Sequence, residues 1–304
     1  MPKWYNVSLQ NDAISVKNDV RKQKAVMIDF DRVTKNYDTN TGLDDVSLHI
    51  DKGDFVFLVG PSGAGKSTLI KLILKEIDVD SGSIIVNGTE VTNLSKKGIP
   101  QYRRGLGIVF QDFRLLENKT VFENVAFAME IVHHNKEEIQ ERVPAVLDLM
   151  GIGEYEDKYP DELSAGEQQR VSIARAIINK PTVLICDEPT GNLDPETASE
   201  IMQLLDLINQ TGTTVLMVTH AKDIVDRMNK RVVTLEKGRI TSDVVGAYNS
   251  SVAAMGAYGR SAQSACSVSG RSAYSSGGEP ADKEGAQNKS GFKVEFDWTG
   301  GKKD

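Results

Sequence analysis

The sequence predicts an α/β fold, a mostly parallel core sheet with helices packed against it. Two observations carry this. Residues 55–59 (FVFLV), 182–186 (TVLIC) and 213–219 (TTVLMVT) are short, almost continuously apolar runs of strand length, as expected for strands buried on both faces. Helical patterns follow them in alternation, which is the signature of strands joined by helical crossovers.

In chain order, MIDFDRVTKNY from Met27 reads as a first strand. FVFLV is the next, followed by a glycine-rich loop and a helix over STLIKLILKEI. Residues of about 112–162 read as mostly helical, with Ile139, Val143, Val146, Leu147 and Met150 on one face, and are taken as an inserted helical subdomain. After TVLIC, Asp194 and Pro195 form an N-cap with proline at the first helical position. Ile201, Leu204, Leu205 and Ile208 then recur at helical spacing, and Gly212 ends the helix. No internal repeat is visible.

Around this centre (27–245) lie two segments of different character. Residues 1–26 are polar and weakly periodic, and read either as a flexible accessory extension or as an upstream start included in the chain. Residues 246–304 are rich in Gly, Ser and Ala, a composition that buries too little apolar surface to offset its ordering entropy; disorder is expected there, with Cys266 an exposed thiol. Within this tail, FKVEFDW (292–298) alternates like a short strand.

Bulk properties narrow the function. With 39% hydrophobic and 26% charged residues among 304, the composition suits an ordinary globular protein. A net charge of −7 gives no support for a nucleic-acid binder. Cys186 and Cys266 form neither a disulfide framework nor a metal-ligand pattern, which fits a reducing cytoplasm. No apolar stretch approaches the ~18–20 residues that span a bilayer, and the N-terminus lacks the apolar core of a signal peptide. The expected location is the cytoplasmic face of the membrane, with any membrane role supplied by a partner.

Three motifs carry chemistry. Gly60-Pro61-Ser62-Gly63-Ala64-Gly65-Lys66-Ser67, with Thr68 following, matches the phosphate-binding loop G-x-x-x-x-G-K-[ST] between a strand and a helix. Glycines let phosphate oxygens approach backbone N–H groups at a helix N-terminus, Lys66 supplies a point charge, and the Ser67 hydroxyl suits Mg²⁺. Thr182–Glu188 ends an apolar run in two carboxylates. Asp187 suits Mg²⁺, and Glu188 is the candidate for polarising an attacking water; an ordinary solvated acidic turn is the alternative. Cys186 reads as a small buried hydrophobe. The third motif, Leu163-Ser164-Ala165-Gly166-Glu167-Gln168-Gln169-Arg170, opens a helix with the S-x-x-E spacing of a capping box.

LSAGEQQR also resembles the signature of ABC ATPases, which P-loop kinases and GTPases lack, with Ala165 in place of the usual glycine. Residues 27–245 as a whole resemble a complete ABC ATPase domain. The resemblance implies a P-loop NTPase fold with an antiparallel β subdomain. It implies that Tyr37 stacks on adenine, against the plain alternative of a strand-end core tyrosine. It further implies that Gln111 touches Mg²⁺ and connects to the helical subdomain, that Asn192-Leu193-Asp194 reports across a dimer, and that His220 contacts the γ-phosphate. Two chains would pair head to tail, so that ATP on Gly60–Thr68 of one is covered by Ser164, Ala165, Gly166, Glu167 and Asp194 of the other.

VFQDFRLLENKTVFENVAFAMEI, GPSGAGKSTLIKLILKE and VTHAKDIVDRMNKRVVTLEKGRI resemble the FtsE group of cell-division ATPases within that family. This implies an integral membrane partner, FtsX, and control of peptidoglycan hydrolases. ATPase subunits of lipoprotein-release or macrolide and peptide exporters share DEPTGNLDPET and every expected catalytic residue. A soluble ABC ATPase acting on DNA or ribosomes would carry a long insertion or a second cassette, and neither is present.

Overall fold

The structure, a computed structural model, describes residues 25–37 and 40–246. The expectations for residues 1–24 and for the tail beyond 246, with Cys266 and the 292–298 segment, lie outside the described residues. In chain order, β1 (Val26–Tyr37) and β2 (Asn40–Asp51) lead into β3 (Phe55–Val59) and α1 (Lys66–Ile73). Next come β4 (Ser81–Val86), β5 (Thr89–Glu90), the short α2 (Ile99–Arg103) and β6 (Leu106–Val109). The helices α3 (Val121–Ile131), α4 (Lys136–Leu149) and α5 (Ala165–Ile177) occupy the middle of the chain. Then follow β7 (Val183–Asp187), α6 (Pro195–Gln210), β8 (Thr214–Val218), α7 (Lys222–Met228), β9 (Arg231–Glu236) and β10 (Arg239–Val245).

The strands form two sheets. One is antiparallel in the order β2-β1-β4-β5. The other runs β10-β9-β3-β8-β7-β6, parallel from β9 through β6, with β10 antiparallel on its edge. The apolar runs divide between two cores by the alternation of strand side chains. Phe55, Phe57, Val59, Leu184, Cys186, Val215 and Met217 face α3–α7. Val56, Leu58, Val183, Ile185, Leu216 and Val218 face the opposite way, onto Leu69, Leu72 and Ile73 of α1 and onto Ile28, Phe30 and Ile84 of the antiparallel sheet. Both faces are covered, which is why no polar residue interrupts these runs.

Parallel register puts the C-terminal ends of β3, β6, β7 and β8 along one edge of the sheet. The loops after them begin at Gly60, Phe110, Glu188 and Thr219, so four motifs far apart in sequence emerge side by side.

The helix after the glycine-rich loop is shorter than the sequence suggests. It closes with Leu74 as C-cap, and Lys75 turns left-handed (φ 54°). The Lys75 amine is engaged elsewhere, donating to the Thr92 carbonyl at 2.7 Å and pairing with Asp78 at 2.6 Å. The β9–β10 hairpin, turning through Lys237 and Gly238 (φ 48° and 80°), adds an edge strand beyond the three apolar runs.

Leu116–Thr120, which leads into α3, is organised by one side chain. Asn124 is fully buried; its Oδ1 accepts from Leu116 N–H at 2.8 Å, and its Nδ2 donates to the carbonyls of Leu116, Lys119 and Thr120 at 3.0–3.1 Å. Asn124→Ala strands these backbone groups and is expected to cost about 2–3 kcal/mol, read as a lower urea midpoint at unchanged slope.

Candidate active site

The phosphate-binding loop is shaped by its neighbours as much as by any anion. A Cβ on Gly60 would stand 2.0 Å from the Leu235 carbonyl oxygen, and one on Gly65 2.2 Å from that of Gly42. Both glycines also have positive φ, 144° and 110°. Gly63, by contrast, has nothing within 4 Å of its Cβ position and is the loop's open face. The β9–β10 turn braces the loop from behind, Gly238 N–H donating to the Ala64 carbonyl at 2.9 Å. Gly65 caps α1 without any side-chain acceptor, which leaves the helix's first N–H groups directed at the loop.

Lys66 is buried, and its Nζ donates to the Gly60 and Pro61 carbonyls at 2.7 and 2.9 Å. Burial lowers the ammonium's pKa, while the nearby Glu188 and Asp187 carboxylates oppose that. Burial raises the pKa of Asp187, and the Glu188 charge beside it adds to the shift. Glu188 sits in a left-handed turn (φ 49°), a conformation costing on the order of 1 kcal/mol. Its N–H is fixed on the Val218 carbonyl at 2.9 Å, and its Oε1 lies 3.1 Å from His220 Nε2.

Tyr37, Ser62–Thr68, Asp187, Glu188 and His220 line one cleft of about 270 Å³. Gly60 and Pro61 lie behind it and contribute their carbonyls to Lys66. Tyr37 is 43% exposed at its strand end, so its ring is presented to the cleft; its hydroxyl is 3.4 Å from Thr68 Oγ1. Gln111 is not on the cleft lining. Its side chain lies against Gly191, and its carbonyl accepts from Asn192 Nδ2 at 3.1 Å.

Ser164, Ala165, Gly166 and Glu167 are also off this cleft. Ser164 caps α5 reciprocally with Glu167: Ser164 N–H donates to Glu167 Oε2 at 2.7 Å, and Glu167 N–H to Ser164 Oγ at 3.3 Å. Gly166 is held close to α6, since a Cβ there would stand 2.6 Å from Thr197 Cγ2. Asp194 caps α6, accepting from Glu196 and Thr197 N–H and from the Thr197 hydroxyl.

Two lining residues escaped the motif analysis. Val218 gave no signal beyond its apolar run. Gly42 sits under the Tyr37 ring, where a Cβ would come within 2.7 Å of Tyr37 Cε2; its only sequence signal is a glycine in the TNTG stretch after the first strand.

The chain is similar to known proteins over most of its described residues. The family model described as ABC transporter matches residues 43–191. The cell division ATP-binding protein FtsE of Mycobacterium tuberculosis is 52% identical over 220 residues, covering 72% of this chain and 96% of that protein. FtsE of Bacillus subtilis is 50% identical over 218 residues, covering 71% of this chain and 96% of that protein. The dimeric ATP-binding cassette MJ0796, solved in a post-hydrolysis state with ADP and phosphate, superposes with a TM-score of 0.66 at 33% identity, over 72% of this chain and 98% of that one.

Gly42→Ala tests the aromatic wall of the cleft. The added methyl meets the Tyr37 ring most closely, at 2.7 Å, and lies 3.1 Å from Thr68 Cγ2 and the Lys35 carbonyl oxygen, so the ring is displaced first. If the ring stacks on a base, affinity for a fluorescent ATP analogue should fall about 5–20-fold with the far-ultraviolet dichroism unchanged.

Proposed function

Because the chain belongs to the ABC transporter family, and within it to the FtsE group of ATP-hydrolysing proteins, we propose that it is the ATPase subunit of a membrane complex in which two copies close head to tail on ATP. The observation that carries this is a separation. One cleft gathers Lys66, Ser67, Asp187, Glu188 and His220, while the capped N-terminus of α5, Ser164–Glu167, faces elsewhere. A single chain therefore holds both halves of a nucleotide site without bringing them together, and a second copy brings its Ser164–Glu167 and Asp194 over the first copy's ATP.

In this reading the open N-terminus of α1 and the backbone of Ser62–Gly65 bind the phosphates, Lys66 adds its charge, and Tyr37 supports the base. Glu188 accepts the proton of the attacking water, and His220, 3.1 Å from it, orients that carboxylate toward the γ-phosphate. Ser67 and Asp187, both on the cleft lining, fit Mg²⁺, a hard cation that takes few protein oxygens and keeps the rest for phosphate and water; Gln111, expected as a further Mg²⁺ contact, lies off this lining against Gly191. Once bound, the ion would neutralise charge developing on the phosphates. Closure excludes bulk water, and loss of the γ-phosphate contacts reopens the pair.

No helix among the described residues is long and apolar enough to cross a membrane. In this reading the membrane component is a separate protein, and the relatives' role in cell division points to FtsX, with this chain peripheral on the cytoplasmic face. Its seat is the groove between the Gln111 loop and the helices after Phe113. Phe127 and Ile131, one turn apart on α3, are 36% and 50% exposed. In this reading residues 1–26 are an extension, 27–245 the ATPase domain with its helical subdomain at about 112–162, and 246–304 a tail.

Glu188→Gln keeps the size of the side chain and removes the base. Turnover should fall about 10²–10⁴-fold while ATP binding persists, and light scattering should find a MgATP-dependent dimer. Wild-type turnover in that variant sinks the assignment. Gentle solubilisation of the trapped variant from its host, followed by mass spectrometry, identifies the membrane partner.

A further inference from the structure

The loop that follows β6 is gripped at both ends. At its far end, Arg175 of α5 donates to the carbonyls of Phe113 (2.8 Å) and Arg114 (2.6 Å). Those two residues are left-handed, φ 56° and 50°, and the Arg114 guanidinium lies 3.7 Å from the Phe110 ring centroid. A half-buried cation making two bonds is a firm anchor.

The near end is held by Asn192, whose exposed Nδ2 donates to the Gln111 carbonyl at 3.1 Å. The preceding residue, Gly191, faces the Gln111 amide; a Cβ there would stand 3.1 Å from Nε2 and 3.5 Å from the Glu188 carbonyl oxygen. Gly191 N–H also donates to that Glu188 carbonyl at 3.1 Å, closing the turn. The Glu188–Asn192 turn therefore meets Gln111 twice, once through a hydrogen bond and once through close packing.

We propose that Asn192 is a positioning residue for ATP hydrolysis. Its amide holds the Gln111 carbonyl so that the Gln111 side chain lies against Gly191 and buttresses the left-handed turn carrying Glu188. Asn192 is off the cleft lining and acts through Gln111. The inference rests on the proposed role of Glu188. Of the two grips, a single neutral, exposed bond is the weaker, so this end is the one at which the Glu188 turn and the Gln111 loop can part.

Two variants perturb the contact differently. Asn192→Asp keeps the shape, but a carboxylate cannot donate and is repelled by the Gln111 carbonyl. Gly191→Ala is free of backbone strain, because Gly191 lacks a positive φ, and pushes only the flexible end of Gln111. Steady-state ATPase kinetics and thermal midpoints are measured beside wild type and Glu188→Gln.

The expected result is kcat lower by about 3–10-fold in both variants, with KM for ATP within about twofold and an unchanged midpoint. A purely structural role would move kcat, KM and midpoint together, and that outcome overturns the proposal. So does wild-type kcat in Asn192→Asp, or in Gly191→Ala, which removes the route through Gln111. If instead Glu188→Gln itself turns over normally, the failure belongs to the assignment of the base.

Discussion

The parallel ladder from β9 to β6 is the constraint on which the rest of the structure depends. Phe55–Leu58 pairs with Val215–Val218, Val183–Asp187 with Thr214–Val218, and Leu106–Val109 with Val183–Cys186. A parallel sheet must be covered on both faces, and this requirement sets the rest of the architecture. Helices α3–α7 cover one face; α1 and the antiparallel sheet cover the other. The helices and loops between β6 and β7 thus serve both as core and as the carriers of Ser164–Glu167.

Electrostatics at the strand ends follows from the same geometry. Asp187 and Glu188 are adjacent in sequence, and Lys66 is placed near both. One ammonium between two carboxylates leaves the cleft with a formal excess of negative charge before any phosphate arrives. Burial acts on Lys66 and Asp187 in opposite directions, lowering the first and raising the second; the two carboxylates oppose the shift of Lys66, whereas at Asp187 the Glu188 charge adds to burial and Lys66 opposes both. Such a balance is sensitive to added charge. A site of this kind is stabilised by a bound cation and by helix-end N–H groups more than by its own side chains.

Much of this was legible in the sequence because the signals were local. A strand buried on both faces announces itself as an apolar run, and the Asp194–Pro195 and Ser164–Glu167 caps need only three or four residues to be recognised. What was not legible depends on contacts between distant segments. The helix after Ser67 continues in pattern to Ile77 but stops at Ile73, where Lys75 reaches Thr92. The glycines of the phosphate loop read as room for an anion; at Gly60 and Gly65 the room is taken by the Leu235 and Gly42 carbonyls, and only Gly63 has it free. Gly42 and Asn124 gave no motif at all, since their importance lies in a ring and three carbonyls that only folding brings to them.

The two sides of the catalytic turn differ in how firmly they are fixed, and that difference bears on how a signal could leave the site. On the sheet side, Glu188 N–H is tied to Val218 within a fully buried strand pair. On the helical side, the connection from Glu188 runs through Gly191 and Gln111 to Arg175, and so to α5, whose N-terminus is the Ser164 cap. A rearrangement at the Glu188 turn therefore has a stiff wall behind it and a loop before it. The loop's far end is bound by Arg175 of α5, the helix that in the proposed dimer meets the partner's nucleotide, and the exposed Phe127 and Ile131 lie on α3, which packs against that same helix. On that path the single Asn192–Gln111 bond is the weak, exposed contact, whereas the strand pairing behind Glu188 is buried, so the helical side offers a change at the phosphate the lesser resistance.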